Sequence, residues 1–111
     1  MTIDYPLKWK PPHDQMVASQ MYRFLTEVEK ETNKKIPDYE SLWRWSVENK
    51  EAFWSKVWDF CGIIGDKGKA VYMPGARLQD GYFFPDSTLN FAENLLRRRD
   101  EDVALAFKGQ T

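Results

Sequence analysis

The sequence predicts a mainly α fold with minor β: three to four short helices, an extended N-terminal arm, a long Gly/Pro loop and a C-terminal strand or half-hairpin. Apolar residues recur at helical spacing in successive stretches between Val17 and Leu96, which is the signature of helices with one buried face. Residues 62–90 hold five of the six glycines, so that stretch is loop. Val103, Leu105 and Phe107 alternate with alanines, which is strand patterning.

The arm comes first. "MTIDYPLKWKPPHD" carries three prolines, and Pro11-Pro12 forbids a helix there. Tyr5, Leu7 and Trp9 give this arm more apolar surface than a free tail carries, so it is expected to dock. The first helix follows, with Val17, Met21, Phe24, Leu25 and Val28 on one face and Asp14 or Ser19 as its cap. It fades in "EKETNKK", and Glu27, Glu29 and Glu31 read as solvated helix surface. Asp38 caps the second helix, on which Tyr39, Leu42, Trp43 and Val47 share a face. Asn49 ends that helix and caps the third, where Phe53, Trp54, Val57, Trp58 and Cys61 form a wide apolar stripe.

Four of the five tryptophans lie between residues 41 and 60. In a 13.1 kDa chain, indole fills a small core at low side-chain entropy cost, so Trp43, Trp54 and Trp58, with Phe53, are assigned to core packing. Trp45 lies about 200° around the helix from Trp43. Either a second element covers it or it faces a partner.

Beyond Gly62 a short strand is expected at residues 70–73. Val71, Tyr72, Met73, Tyr82, Phe83 and Phe84 hold the surrounding loop onto a surface. "GDKGK" is a turn, with a small anion nest as the sharper reading. Asn90 and Glu93 make a capping pair for the last helix, with Phe91, Ala92, Leu95 and Leu96 on its apolar face. Arg97, Arg98 and Arg99 suit the negative end of that helix's dipole, a phosphate site being the alternative. The final strand and the "KGQ" turn lack a second strand, and an isolated strand cannot satisfy its backbone groups. It is expected to pair with the strand near Val71, with another copy, or with more of a larger protein.

Composition narrows function. Sixteen basic residues against seventeen acidic ones supply no field for nucleic acid or anionic lipid, so neither is an expected partner. No run approaches the roughly 20 apolar residues of a membrane span. One cysteine and no secretory signal suit a cytoplasmic setting. Cys61, on the apolar stripe, reads as a small core residue, and His13, the one histidine, as an exposed loop residue. One Cys and one His without clustered spacing make a metal site unexpected. No catalytic, cofactor-binding or metal-binding residue is assigned to this chain.

Several longer stretches carry a resemblance: "SQMYRF" (19–24), "YESLWRWSVENKEAFWSKVWDFCGIIG" (39–65), "MPGAR" (73–77), "FFP" (83–85) and "LNFAENLLRRRD" (89–100). In this order they resemble the N-terminal region of the adenylate-forming acyl-CoA synthetase family. "WSVE" and "FAENLLR" are closer to its acetoacetyl than to its acetyl branch. "LQDGY" (78–82) departs from the pattern as an insertion. The resemblance implies an arm over 1–15, a helical N-terminal domain over 16–100, and the start of the large nucleotide-binding domain over 101–111. It implies a parent ligase acting on acetoacetate with ATP, Mg and CoA, whose phosphate loop and catalytic lysine lie outside these residues. The chain would then be inactive alone, with the remainder of the ligase as its partner. Trp9, Trp45, Phe83, Phe84, Val103, Leu105 and Phe107 would face that missing domain. The alternatives are a free-standing helical interaction module, dimerising through its strand or exposed aromatics, the N-terminal domain of an acetyl-branch synthetase, and a small CoA- or nucleotide-binding protein using Arg97–Arg99.

Overall fold

The computed structural model describes residues 5–110. The start of the expected arm, residues 1–4, and Thr111 lie outside the described residues. The fold is mainly α with minor β, as the sequence predicts. The helices are α1 (His13–Val17), α2 (Gln20–Thr32), α3 (Tyr39–Glu48), α4 (Lys50–Phe60) and α5 (Phe91–Leu95). Four two-residue strands, β1 (Gly65–Asp66), β2 (Tyr72–Met73), β3 (Tyr82–Phe83) and β4 (Thr88–Leu89), pair as β1–β4 and β2–β3, both antiparallel. The inner pair is nested within the loop that the outer pair closes. Two compact units result, Met1–Phe53 and Trp54–Thr111.

In the first unit, Pro12 (φ −58°, ψ 151°) stands immediately before α1. Helix therefore begins at His13, inside the stretch expected to be arm, because only the residues up to the prolines are barred from it. Ser19 caps α2 by accepting from the Tyr22 amide, and Asn33, left-handed at φ 54°, ends it. The chain then turns back onto α2: Glu29 Oε1 accepts the Ile36 amide at 2.8 Å. Asp38 caps α3, accepting from both the amide and the hydroxyl of Ser41. These caps bring Phe24, Val28, Ile36 and Leu42 into the interior. Phe53, at the start of α4, is half-buried and meets Phe24 and Trp45 edge-on, with ring centroids at 5.8 and 6.3 Å.

The second unit begins within α4. Its end is a Schellman turn: the Ile63 amide donates to the Trp58 carbonyl and the Gly62 amide to that of Asp59, with Gly62 at φ 61°. That turn carries Cys61 outward, so the cysteine is exposed rather than in the core. Lys67 reaches back to α4, donating to Ser55 Oγ at 3.0 Å and to Asp59 Oδ1 at 2.8 Å. "GDKGK" is thus a tethered turn. The Gly68 amide donates to Asp66 Oδ1, and Gly68 sits at φ 76°, where an added Cβ would lie 2.8 Å from that of Asp86.

No strand forms over Val103, Leu105 and Phe107. β2 pairs with β3 instead, so the alternating segment has no ladder partner among the described residues, and its backbone takes no regular form.

Candidate docking surfaces

The residues expected at an interface fall into three settings. Trp9 stands exposed on the arm. Leu105 and Phe107, each 94% exposed, and Val103 project from a segment without regular structure. Trp45, Phe83 and Phe84 are anchored. Trp45 is half-buried against Phe53, so of its two expected environments a covering element is the one observed, and it covers the indole in part. Phe83 is exposed but ringed, its centroid 5.2 Å from that of Trp54 and 5.0 Å from that of Tyr72. Phe84 is half-buried, with its ring 5.0 Å from Trp58.

The core assignment of the tryptophans holds for Trp58, 9% exposed, and fails for Trp43, 54% exposed, and for Trp54, which is 36% exposed beside Phe83. α3 packs through Leu42 and leaves Tyr39, Trp43 and Val47 open. These three lie four residues apart on one face, so the helical spacing was read correctly and the side that is covered was not. On α5, Phe91, Leu95 and Leu96 are exposed in the same way. These six residues are surface that sequence reasoning placed on apolar faces without seeing that those faces lack a neighbour. The signal was present in the number of such faces, since a small unit has too little interior for all of them.

The arginines do not gather into a phosphate site. α5 ends at Leu95, so they lie past its last turn. Arg97 donates to the carbonyls of Cys61 and Gly62, at 3.2 and 3.0 Å, placing its charge at the negative end of α4 rather than of its own helix. Arg98 pairs with Asp100 and Asp102, and the Asp100 carboxyl is held below its ordinary pKa by that guanidinium. Arg77 grips Asp80 through two hydrogen bonds, which lower the Asp80 pKa and raise that of Arg77. Asn94 supplies a further clasp that spacing did not suggest: its amide donates to the Ile64 carbonyl and accepts the Ile64 amide, at 2.9 and 2.8 Å. Among the described residues no group of three or more His, Cys, Asp or Glu side chains converges as metal ligands do, and no helix is long and apolar enough to cross a membrane.

A groove of about 590 Å³ lies in the first unit, between α1, α2 and the start of α3. Tyr22 and Tyr39 line it, with Met16, Met21, Leu25 and Ile36.

A protein of Rhizobium meliloti (strain 1021) described as acetoacetyl-coenzyme A synthetase is 37% identical over 110 residues, covering 99% of this chain. The chain resembles acetoacetyl-CoA synthetases. The acetoacetyl-CoA synthetase of Danio rerio is 40% identical over 100 residues, 87% of the chain. A malonamoyl-CoA synthetase of Penicillium aethiopicum is 34% identical over 86 residues, 76% of the chain. The chain spans only 17%, 15% and 12% of these synthetases respectively. No family model and no solved structure matches it. The resemblance read from "WSVENK" and "LNFAENLLRRRD" is thus met by relatives of the acetoacetyl branch.

Proposed function

We propose that this chain is the N-terminal docking domain of an AMP-forming acetoacetate–CoA ligase, without activity of its own. The observation that carries the reading is the pairing of near-complete coverage of this chain with a 17% share of the Rhizobium synthetase. The exposed apolar faces support it, because surface of this kind is expected where a larger body packs. In the whole ligase, an acetoacetate carboxylate oxygen would attack the α-phosphorus of ATP, releasing pyrophosphate. The CoA thiol would then take the acyl group and release AMP. ATP, Mg and CoA belong, on this reading, to the remainder of the protein, because such chemistry needs preorganised donors and a metal and this chain spans only 17% of the Rhizobium synthetase. The cytoplasm is the proposed compartment. Helical cover over residues 16–100, preceded by an arm and followed by the first residues of the large domain, is the proposed division of the chain.

The Penicillium relative favours a wider substrate class. Acetoacetate and malonamate both carry a carbonyl two carbons from the carboxylate, so short 3-oxo acids as a group are the proposed acyl donors. Sequencing the encoding DNA past the Thr111 codon tests the docking role. A frame running on for several hundred codons into a Ser/Thr/Gly-rich phosphate loop is the expected result. A stop codon at that point would overturn the ligase reading. For the isolated chain, no ATP–pyrophosphate exchange with acetoacetate is expected, and turnover by a rigorously pure sample would refute its inactivity.

A further inference from the structure

We infer that the groove of the first unit is the seat for the N-terminal arm of a second copy of this chain, exchanged reciprocally between two protomers. The arm and the groove are complementary in two respects. Residues 5–12, "YPLKWKPP", carry two lysines and no acid, and their Tyr5, Leu7 and Trp9 are all exposed. Among the described residues, those that carry charge on the groove's lining are Glu29 and Asp38, and no cation lines it. Both carboxylates are held in place, Glu29 by the Ile36 amide and Asp38 by Ser41. Two tyrosines beside Met16, Met21, Leu25 and Ile36 are also a surface that a proline-rich extended segment prefers.

The groove takes a partner's arm because the chain's own arm is directed away. Pro11 lines the groove, so the arm leaves from its edge. Lys10 and Pro11 each precede a proline, which confines both to extended backbone. Pro12, at φ −58° and ψ 151°, continues the same course. A turn sharp enough to lay Trp9 back over the groove would need the conformations these positions lack. A second copy's arm meets no such limit, and six residues of polyproline geometry reach about 19 Å. Exchange of two identical arms closes a two-fold dimer. This inference does not depend on the ligase reading, since arm and groove both lie in the first unit.

Sedimentation of the 111-residue chain, from micromolar to near-millimolar concentration, tests it. The expected result is a dimer that Trp9→Ser weakens roughly tenfold or more, that added salt weakens, and that an excess of a synthetic peptide of residues 5–12 dissociates. Trp9 and Tyr39 are both largely exposed, so Trp9→Ser and the groove variant Tyr39→Ser keep the fold, which circular dichroism checks, and both should weaken association. A monomer throughout the range overturns the inference, including a monomer that binds the peptide. A dimer that neither variant disturbs also overturns it and points to another face, such as that of Trp43.

Discussion

The two compact units carry comparable aromatic content, eight such residues up to Phe53 and nine from Trp54, yet hold it by different means. The first unit buries Phe24, Val28, Ile36 and Leu42 between capped helices. Among the described residues, the second buries Trp58 alone to that degree. It depends instead on a chain of ring contacts and on side chains that grip backbone: Asn94 on Ile64, Arg97 on Cys61 and Gly62, Lys67 on α4. A hydrophobic interior is non-directional and tolerates adjustment. A clasp of hydrogen bonds is directional and holds only while both partners keep their geometry. Similar composition therefore yields one unit organised by burial and one organised by polar tethers.

Four substitutions would break or sharpen that contrast. Trp58→Ala removes a well-buried ring of the second unit and should cost roughly 3–5 kcal/mol in denaturant unfolding. A near-neutral result would mean that the tethers alone hold that unit. Asn94→Ala should cost roughly 1–3 kcal/mol, because the Ile64 amide and carbonyl lose their partner together. If hydrogen exchange at Ile64 is unchanged in this variant, the clasp is not what orders the loop. Asp38→Ala should destabilise the first unit through loss of the α3 cap, read as a lower denaturant midpoint. Trp43→Ala should stay within about 0.5 kcal/mol, since the indole is more than half exposed, and a larger loss would show that something covers α3.

The Asp38 cap also sets a pH dependence. Its carboxyl is held below the ordinary 3.8, first by the Ser41 hydroxyl and then by the Ser41 amide. The folded state thus binds that proton less readily than the unfolded state. The contribution is complete above the unfolded pKa and is lost as pH falls below 3.8 through the depressed folded value. Acid titration of helicity should show this loss, and Asp38→Asn, which retains a capping oxygen, should flatten it.

Much of the first unit was legible in the sequence. Ser19, Asn33 and Asp38 act at helix ends where their side chains and position predict, because capping is local chemistry. The face of a helix that is covered is a long-range matter, and here Trp43 and Cys61 went astray: spacing showed stripes but not their neighbours. In the second unit the last helix with its Asn90 cap, the turn at Gly65–Lys69 and a strand near Val71 were foreseeable, but not how the strands pair. The pairing of Gly65 with Leu89 joins residues two dozen positions apart through two-residue strands, too short to show any alternation. Asn94 could not be distinguished by type from a solvated helix residue. The exposed apolar residues were legible as side chains in excess of what a small interior can hold, although their division into anchored rings and open ones was not.

Phe84 has a consequence for how the chain can vary. Its backbone lies at φ 45°, a region that ordinarily favours glycine, directly before Pro85. What the position gains by keeping a side chain is the ring against Trp58. Residues 58 and 84 therefore form a linked choice. A lineage that loses the indole has no further use for phenylalanine in that turn and is free to install glycine there, whereas one that keeps Trp58 is bound to an awkward backbone. Joint change at these two positions, twenty-six apart in sequence, is the trace this turn should leave among related chains.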